Sequence, residues 1–214
     1  MTTTSTSENN GVLSLNSEDR KIYSIGISTA GSAEIKMAFA DVNRHITATT
    51  LDLEGALYAR RCIAKEGLSQ QIEVKIEDVS QPLPYPNGHF DFIYARLVLH
   101  YLGKQALHRS LTELHRILRT HGRIFIVVRS VDCPDLSEKD TNFDPVTCLT
   151  TCAFKGKTYA RYFHSENSIK ECLSRAEFTV QHSTSYQEQL YVDFLRRELS
   201  PSLDSLIEVL AKKS

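Results

Sequence analysis

The chain has 214 residues, 41% of them hydrophobic and 24% charged, the balance of a globular protein able to bury one good core. A formal net charge of −1 excludes a global field that would draw it to nucleic acid or to an anionic membrane. No apolar stretch approaches the length of a membrane span.

Residues 1–19 open on Met-Thr-Thr-Thr-Ser-Thr-Ser-Glu-Asn-Asn, which lacks the apolar core of a signal peptide and reads as a polar, disordered tail. Lys21 to Ile25 alternates as a strand does, and Gly26-Ile-Ser-Thr-Ala-Gly31 then turns into a helical stretch, Ser32 to Ala40. Strand, glycine turn and helix in that order cradle nucleotide-like ligands, because glycine lets backbone approach ligand and the helix start offers N–H groups. A second strand, His45 to Leu51, ends at Asp52 with Glu54 close behind, and a helix runs from Gly55 to Glu66 with Gly67 as its C-cap. An acidic residue about 20 residues past the glycine turn is placed to accept hydrogen bonds from ribose hydroxyls. A third strand, Ile72 to Ile76, ends in Glu77-Asp78, and a turn-rich loop from Leu83 to Asp91 leads into the strand Phe92 to Ala95.

Leucines and isoleucine at 107, 111, 114, 117 and 118 mark a helix over Lys104 to Arg119, closed by His121-Gly122 before the dense strand Arg123 to Val128. Residues 130–160 break the periodicity. Ser165 to Ala176 reads as a helix, Thr179 to Ser183 and Ser185 to Val192 as a closing antiparallel hairpin, and Ser202 to Lys213 as an amphipathic helix after Pro201. The five cysteines, Cys62, Cys133, Cys148, Cys152 and Cys172, are scattered and odd in number, which points to reduced thiols in a cytoplasmic protein. Cys148 and Cys152 have loose metal-ligand spacing, and His164 joins them by proximity in sequence only, so no metal is expected.

The segment Asp78 to Leu102, D-x5-P-Y-P-N-G-x-F-D-F-I-x-A-R-L-V-L-H-Y-L, resembles the central segment of class I S-adenosylmethionine-dependent methyltransferases of the small-molecule, methyltransferase 11-like type. Leu111 to Val128 resembles that family's helix, glycine and fifth strand, and Tyr162 to Phe178 its penultimate helix, so the likeness covers roughly residues 20 to 192. It implies an α/β, Rossmann-like three-layer sandwich with a mostly parallel seven-stranded sheet and a C-terminal antiparallel hairpin. The domain would span residues 20–192, with 130–160 as a variable lid or substrate insert and 193–214 as a C-terminal helical extension.

The resemblance further implies S-adenosylmethionine as cofactor, S-adenosylhomocysteine as product and a small-molecule acceptor. No nucleic-acid or membrane partner is expected of the chain, as monomer or homodimer. Gly26, Ser28, Thr29 and Gly31 would face the methionine part. Asp52 would bind the ribose and Leu53 pack on adenine. Asp78 would bind the adenine amino group, with Val79 donating from its backbone, and Ala95 and Arg96 would line the sulfonium end.

The chain departs from the family at Ser24, where the first strand usually carries an acid, and at Ser28 and Ala30, where glycines are usual. His100 is the one candidate for catalysis, against a packing role for the same residue. Tyr159, Arg161, Tyr162 and His164 are candidates to shape an acceptor pocket. Two other readings stay open: a methyltransferase-like scaffold without catalysis, used for binding or regulation, and a nicotinamide-dependent oxidoreductase. The last lacks the G-x-G-x-x-G order and any Tyr-x3-Lys constellation.

Overall fold

The computed structural model describes residues 5–27, 29–137, 141–154, 157–191 and 198–214. Five strands in chain order build the parallel part of the sheet: β1 (Lys21–Ile25), β2 (His45–Thr50), β3 (Ile72–Ile76), β4 (Phe90–Arg96) and β5 (Leu118–Arg129). Helices α2 (Ser32–Ala40) and α3 (Leu53–Lys65) connect β1 to β2 and β2 to β3, and α4 (Lys104–Ile117) precedes β5. Helix α5 (Glu166–Arg175) follows the three-stranded sheet of β6 (Asn142–Phe143), β7 (Thr150–Phe154) and β8 (Lys157–Arg161). The last strands are β9 (Phe178–Glu188) and β10 (Asp204–Lys213), and the main sheet has seven strands in the order β3-β2-β1-β4-β5-β10-β9.

Alternation along each strand sorts side chains into two cores, one on each face of the sheet. On one face Tyr23, Ile93 and Ile126 pack with Leu107, Leu111 and Leu114 of α4 and Ile169 and Leu173 of α5. On the other, Ile22, Phe92 and Phe125 pack with Ala33 and Met37 of α2 and Ala56, Ala59 and Ile63 of α3. The result is three layers, helices on both faces of the sheet, as the alternation of elements requires. Parallel pairing sends the C-terminal ends of β1 to β5 to one edge, where ligands of such sheets bind.

Three sequence expectations are corrected. The segment read as a disordered tail holds α1 (Thr6–Leu13), capped by the Ser5 hydroxyl, which accepts from the Glu8 N–H. Its docking is polar and glycine-mediated, so no apolar stripe announces it. Gly11 sits so close to the sheet that a Cβ there would lie 2.3 Å from the Tyr94 ring and 2.8 Å from that of Phe125. Glu8, fully buried, accepts from the Ser32 hydroxyl at 2.9 Å and from Lys36 at 2.7 Å, tying α1 to α2. Second, Ser202 to Lys213 is not a helix: Asp204–Lys213 is β10, inserted antiparallel between β5 and β9. Third, the closing antiparallel pair is β9 with β10, not a hairpin within 179–192, because β9 continues unbroken from Phe178 to Glu188. Residues 192–197, within the expected helical extension and its boundary, lie outside the described residues. No described helix is long and apolar enough to cross a membrane.

Candidate active site

At the end of β1 the chain turns left-handed at Gly26 (φ 70°), and the Ile27 N–H donates to the Thr49 carbonyl of β2 at 2.7 Å. A short 3-10 turn, Thr29–Gly31, follows, with Ala30 (φ 57°) and Gly31 (φ 74°) both left-handed before α2 begins. A Cβ at Gly26 would lie 2.9 Å from Val98, so the turn is pressed against the segment leaving β4. Ala30 holds a conformation that glycine takes without cost, so this position bears strain the family's usual glycine avoids. Ser28 lies outside the described residues.

The acid absent at position 24 is present in space. The Ser24 hydroxyl donates to a carboxylate oxygen of Glu34 at 2.5 Å, and both residues are fully buried. Glu34 stands in the first turn of α2, so a carboxylate sits beneath the glycine turn, carried by the helix instead of the strand. Ten residues separate the two, and the fold brings them together.

Asp52 caps α3: one carboxylate oxygen accepts the Glu54 N–H at 3.1 Å. The cap and the ribose roles are compatible, since the second oxygen has no partner among the described residues and the side chain is exposed at the sheet edge. Leu53 beside it is 59% exposed, an apolar side chain left without cover. Asp78 likewise commits one oxygen, to the Ser80 N–H at 2.9 Å. The Val79 side chain is buried and its carbonyl accepts from the Ser110 hydroxyl, while its N–H has no partner among the described residues. Glu77 is spent inside the fold, accepting from the phenols of Tyr23 and Tyr85. Spare carboxylate oxygens at two neighbouring strand ends, a free N–H and an exposed leucine fit the hydroxyls, amine and ring of an adenosine.

Ala95 is fully buried in the core, one residue before the end of β4. Arg96 is directed elsewhere than expected. Its guanidinium donates to the hydroxyls of Ser7 (2.6 Å) and Ser5 (2.8 Å) and lies 3.8 Å from Glu188, so the side chain anchors the start of α1.

His100 occupies a 3-10 turn, Leu99–Tyr101, just past β4. Its ring is buried, with neither nitrogen partnered among the described residues, and its carbonyl accepts the Tyr162 N–H at 2.7 Å. Burial, then Arg129, Arg161 and His164, hold its pKa well below the usual histidine value, so the imidazole is neutral. His164 is also buried, which pushes its pKa down to about 4. The Ser168 hydroxyl lies 3.0 Å from the Ser165 carbonyl and 3.2 Å from His164 Nδ1, and the buried Nε2 has no partner among the described residues. Beside these rings Arg129, at the end of β5, pairs with Asp204 and Asp135, and Arg161 pairs with Asp135 at 2.6 Å and stacks 4.0 Å over the Tyr159 ring. Two arginines and two aspartates thus neutralise one another.

Of the expected pocket-shaping group, Arg161 and Tyr159 belong to this ion-pair network, whereas Tyr162 lines a cavity under the small sheet. Among the described residues no three His, Cys, Asp or Glu side chains gather as metal ligands would.

Residues 26–126 match a family described as a methyltransferase domain. No significant match to a curated protein is found. Among solved structures, the chain superposes on an S-adenosylmethionine-dependent methyltransferase from Methanosarcina mazei with a TM-score of 0.70 at 18% identity, covering 92% of this chain and 94% of that one. It superposes on the CcbJ methyltransferase of Streptomyces caelestis with a TM-score of 0.69 at 11% identity, over 97% and 94%. The [4+2]-cyclase SpnF gives a TM-score of 0.69 at 16% identity, over 96% and 80%. At such identities the likeness is one of fold. Taken with the family match, it identifies residues 26–126 as a methyltransferase domain, carried on the fold of the class I S-adenosylmethionine-dependent methyltransferases.

Proposed function

We propose that the chain transfers the methyl group of S-adenosylmethionine to a small-molecule acceptor by in-line displacement, releasing S-adenosylhomocysteine. The observation that carries this reading is the pair of half-committed carboxylates, Asp52 and Asp78, at adjacent strand ends beside the Gly26 turn. Asp52 would take the ribose hydroxyls with its spare oxygen, Leu53 would cover the adenine, and Asp78 and the Val79 N–H would bind its edge. Gly26, Thr29 and Gly31, with Ser28 between them, would wrap the methionine part, and the backbone at Ala95 and Arg96 would flank the reacting end.

When bound, the cofactor supplies an activated methyl group, so the protein's work is positioning and exclusion of water. His100, buried and held neutral just past β4, would orient an acceptor by a hydrogen bond and not take its proton. Residues 130–160 would act as a lid or substrate-selecting insert, a role supported by the Lys104 N–H, shortly after the His100 turn, donating to the Thr147 carbonyl at 2.7 Å. Five free cysteines suit a reducing, cytoplasmic setting.

The alternative is a scaffold that binds without transferring methyl. Strained Ala30 and the sharing of this fold by a cyclase favour keeping it in view. Incubation with methyl-labelled S-adenosylmethionine and a panel of phenols, amines and thiols separates the two. Label transferred to any acceptor supports the enzyme, and cofactor binding without transfer across the panel supports the scaffold.

A further inference from the structure

A cavity of about 510 Å³ opens between the small sheet and the first turn of α5. Val131, two residues past the end of β5, and Phe143 of β6 stand at it and are 46% and 57% exposed, whereas Phe163 is buried at 7%. Leu136 and Tyr162 complete an apolar and aromatic wall. Its volume lies within the range that encloses a drug-sized ligand.

The chemistry of the wall is restrictive. Among its described residues none carries a charge. Arg129, Asp204, Asp135 and Arg161 pair with one another, so none of them is left to receive a charged guest. Such a guest would lose its water and gain no counter-ion from the wall. The Ser168 hydroxyl is committed to the Ser165 carbonyl and His164, and Ser165 caps α5 by accepting the Ser168 N–H. Thr141 and Thr150 bring hydroxyls with no partner among the described residues, so one or two neutral hydrogen bonds are on offer.

The cavity also adjoins the reacting end. Tyr162, in its wall, donates its N–H to the carbonyl of His100, whose turn leaves β4 just after Ala95 and Arg96.

We infer that this cavity binds an uncharged, largely apolar aromatic molecule bearing one hydroxyl or similar neutral group. As the acceptor site of methyl transfer it rests on the function proposed above, but binding itself does not. The test uses 1-naphthol and the anionic analogue 1-naphthoate, of the same ring system, titrated into the full chain by fluorescence, with S-adenosylmethionine binding followed separately. The wild type is expected to prefer naphthol at least tenfold. Val131→Trp, at an exposed position that tolerates bulk, should weaken naphthol at least tenfold and leave the melting temperature and cofactor binding unchanged. Val131→Lys should shift the preference toward naphthoate.

Equal or tighter naphthoate binding by the wild type would overturn the assignment, as would naphthol binding indifferent to both substitutions. Naphthol bound in the cavity by a chain that takes no S-adenosylmethionine would uphold the cavity and remove methyl transfer. Cofactor bound without naphthol would overturn the cavity assignment and leave the function proposed above untouched.

Discussion

Asp52 caps α3, and the ribose role proposed for it separates experimentally from the cap. As the N-cap of α3 it satisfies the Glu54 N–H, a contact whose loss in Asp52→Ala costs about 1 kcal/mol of stability. In a domain of this size that lowers the melting temperature by roughly 2–4 °C. As a ribose ligand, its spare oxygen makes charge-assisted hydrogen bonds whose removal costs about 1.5–3 kcal/mol, or roughly tenfold to one hundred and fifty-fold in affinity. Asp52→Asn distinguishes the roles, because asparagine caps a helix as well as aspartate but carries no charge. Thermal melts without ligand and calorimetric titration with S-adenosylmethionine should show Asp52→Ala losing both stability and affinity, and Asp52→Asn losing affinity alone. A folded Asp52→Ala protein that binds cofactor as the wild type does would reduce Asp52 to a helix cap and refute its place in the site.

Other perturbations probe the frame around the site. Gly11→Val drives a side chain into the Tyr94 and Phe125 rings and should cost about 1–3 kcal/mol, releasing α1 to limited proteolysis before global unfolding; unchanged protection would contradict the docking of α1. Arg129→Ala leaves the buried Asp204 carboxylate without its partner and should cost about 3–5 kcal/mol in urea denaturation, with most of the loss recovered when Asp204→Leu is added. A double variant as unstable as the single would mean that the pair is not the cause.

Acidification tests His164. Its folded pKa of about 4 lies below the ordinary 6.5, so between these values the unfolded chain binds a proton that the folded chain refuses. This contribution is intact above pH 6.5 and falls away toward pH 4, by about 2 kcal/mol at pH 5. His100 acts in the same direction. His164→Asn should flatten the loss of stability between pH 7 and pH 5, and an identical slope in both proteins would refute a buried neutral ring.

The parallel half of the fold was legible because each strand alternates or runs apolar between turn signals, and β3 keeps the bounds that its sequence pattern draws, Ile72–Ile76. The last strand was not. Leu206, Ile207, Val209 and Ala211 are all buried because β10 lies inside the sheet with helices over both faces, so its apolar run carries no period of two and mimics a helix stripe. Helix α1 escaped notice for the opposite reason, since Ser7, Glu8 and Gly11 are its buried residues and none is a large apolar side chain. In the site, the positions of Asp52 and Asp78 followed from strand ends. The Ser24–Glu34 contact joins a strand to the next helix across the glycine turn, and the diversion of Arg96 to Ser5 and Ser7 joins segments about 90 residues apart, neither of which local spacing encodes.

The central claim is that the strand ends around Gly26, Asp52 and Asp78 bind an adenosine cofactor with a sulfonium or thioether end. Calorimetric titration of the full chain with S-adenosylmethionine and S-adenosylhomocysteine, with NADH as control, tests it most directly. Saturable one-to-one binding of the first two and none of the third is expected. Absence of binding for both, or preference for NADH, would contradict it.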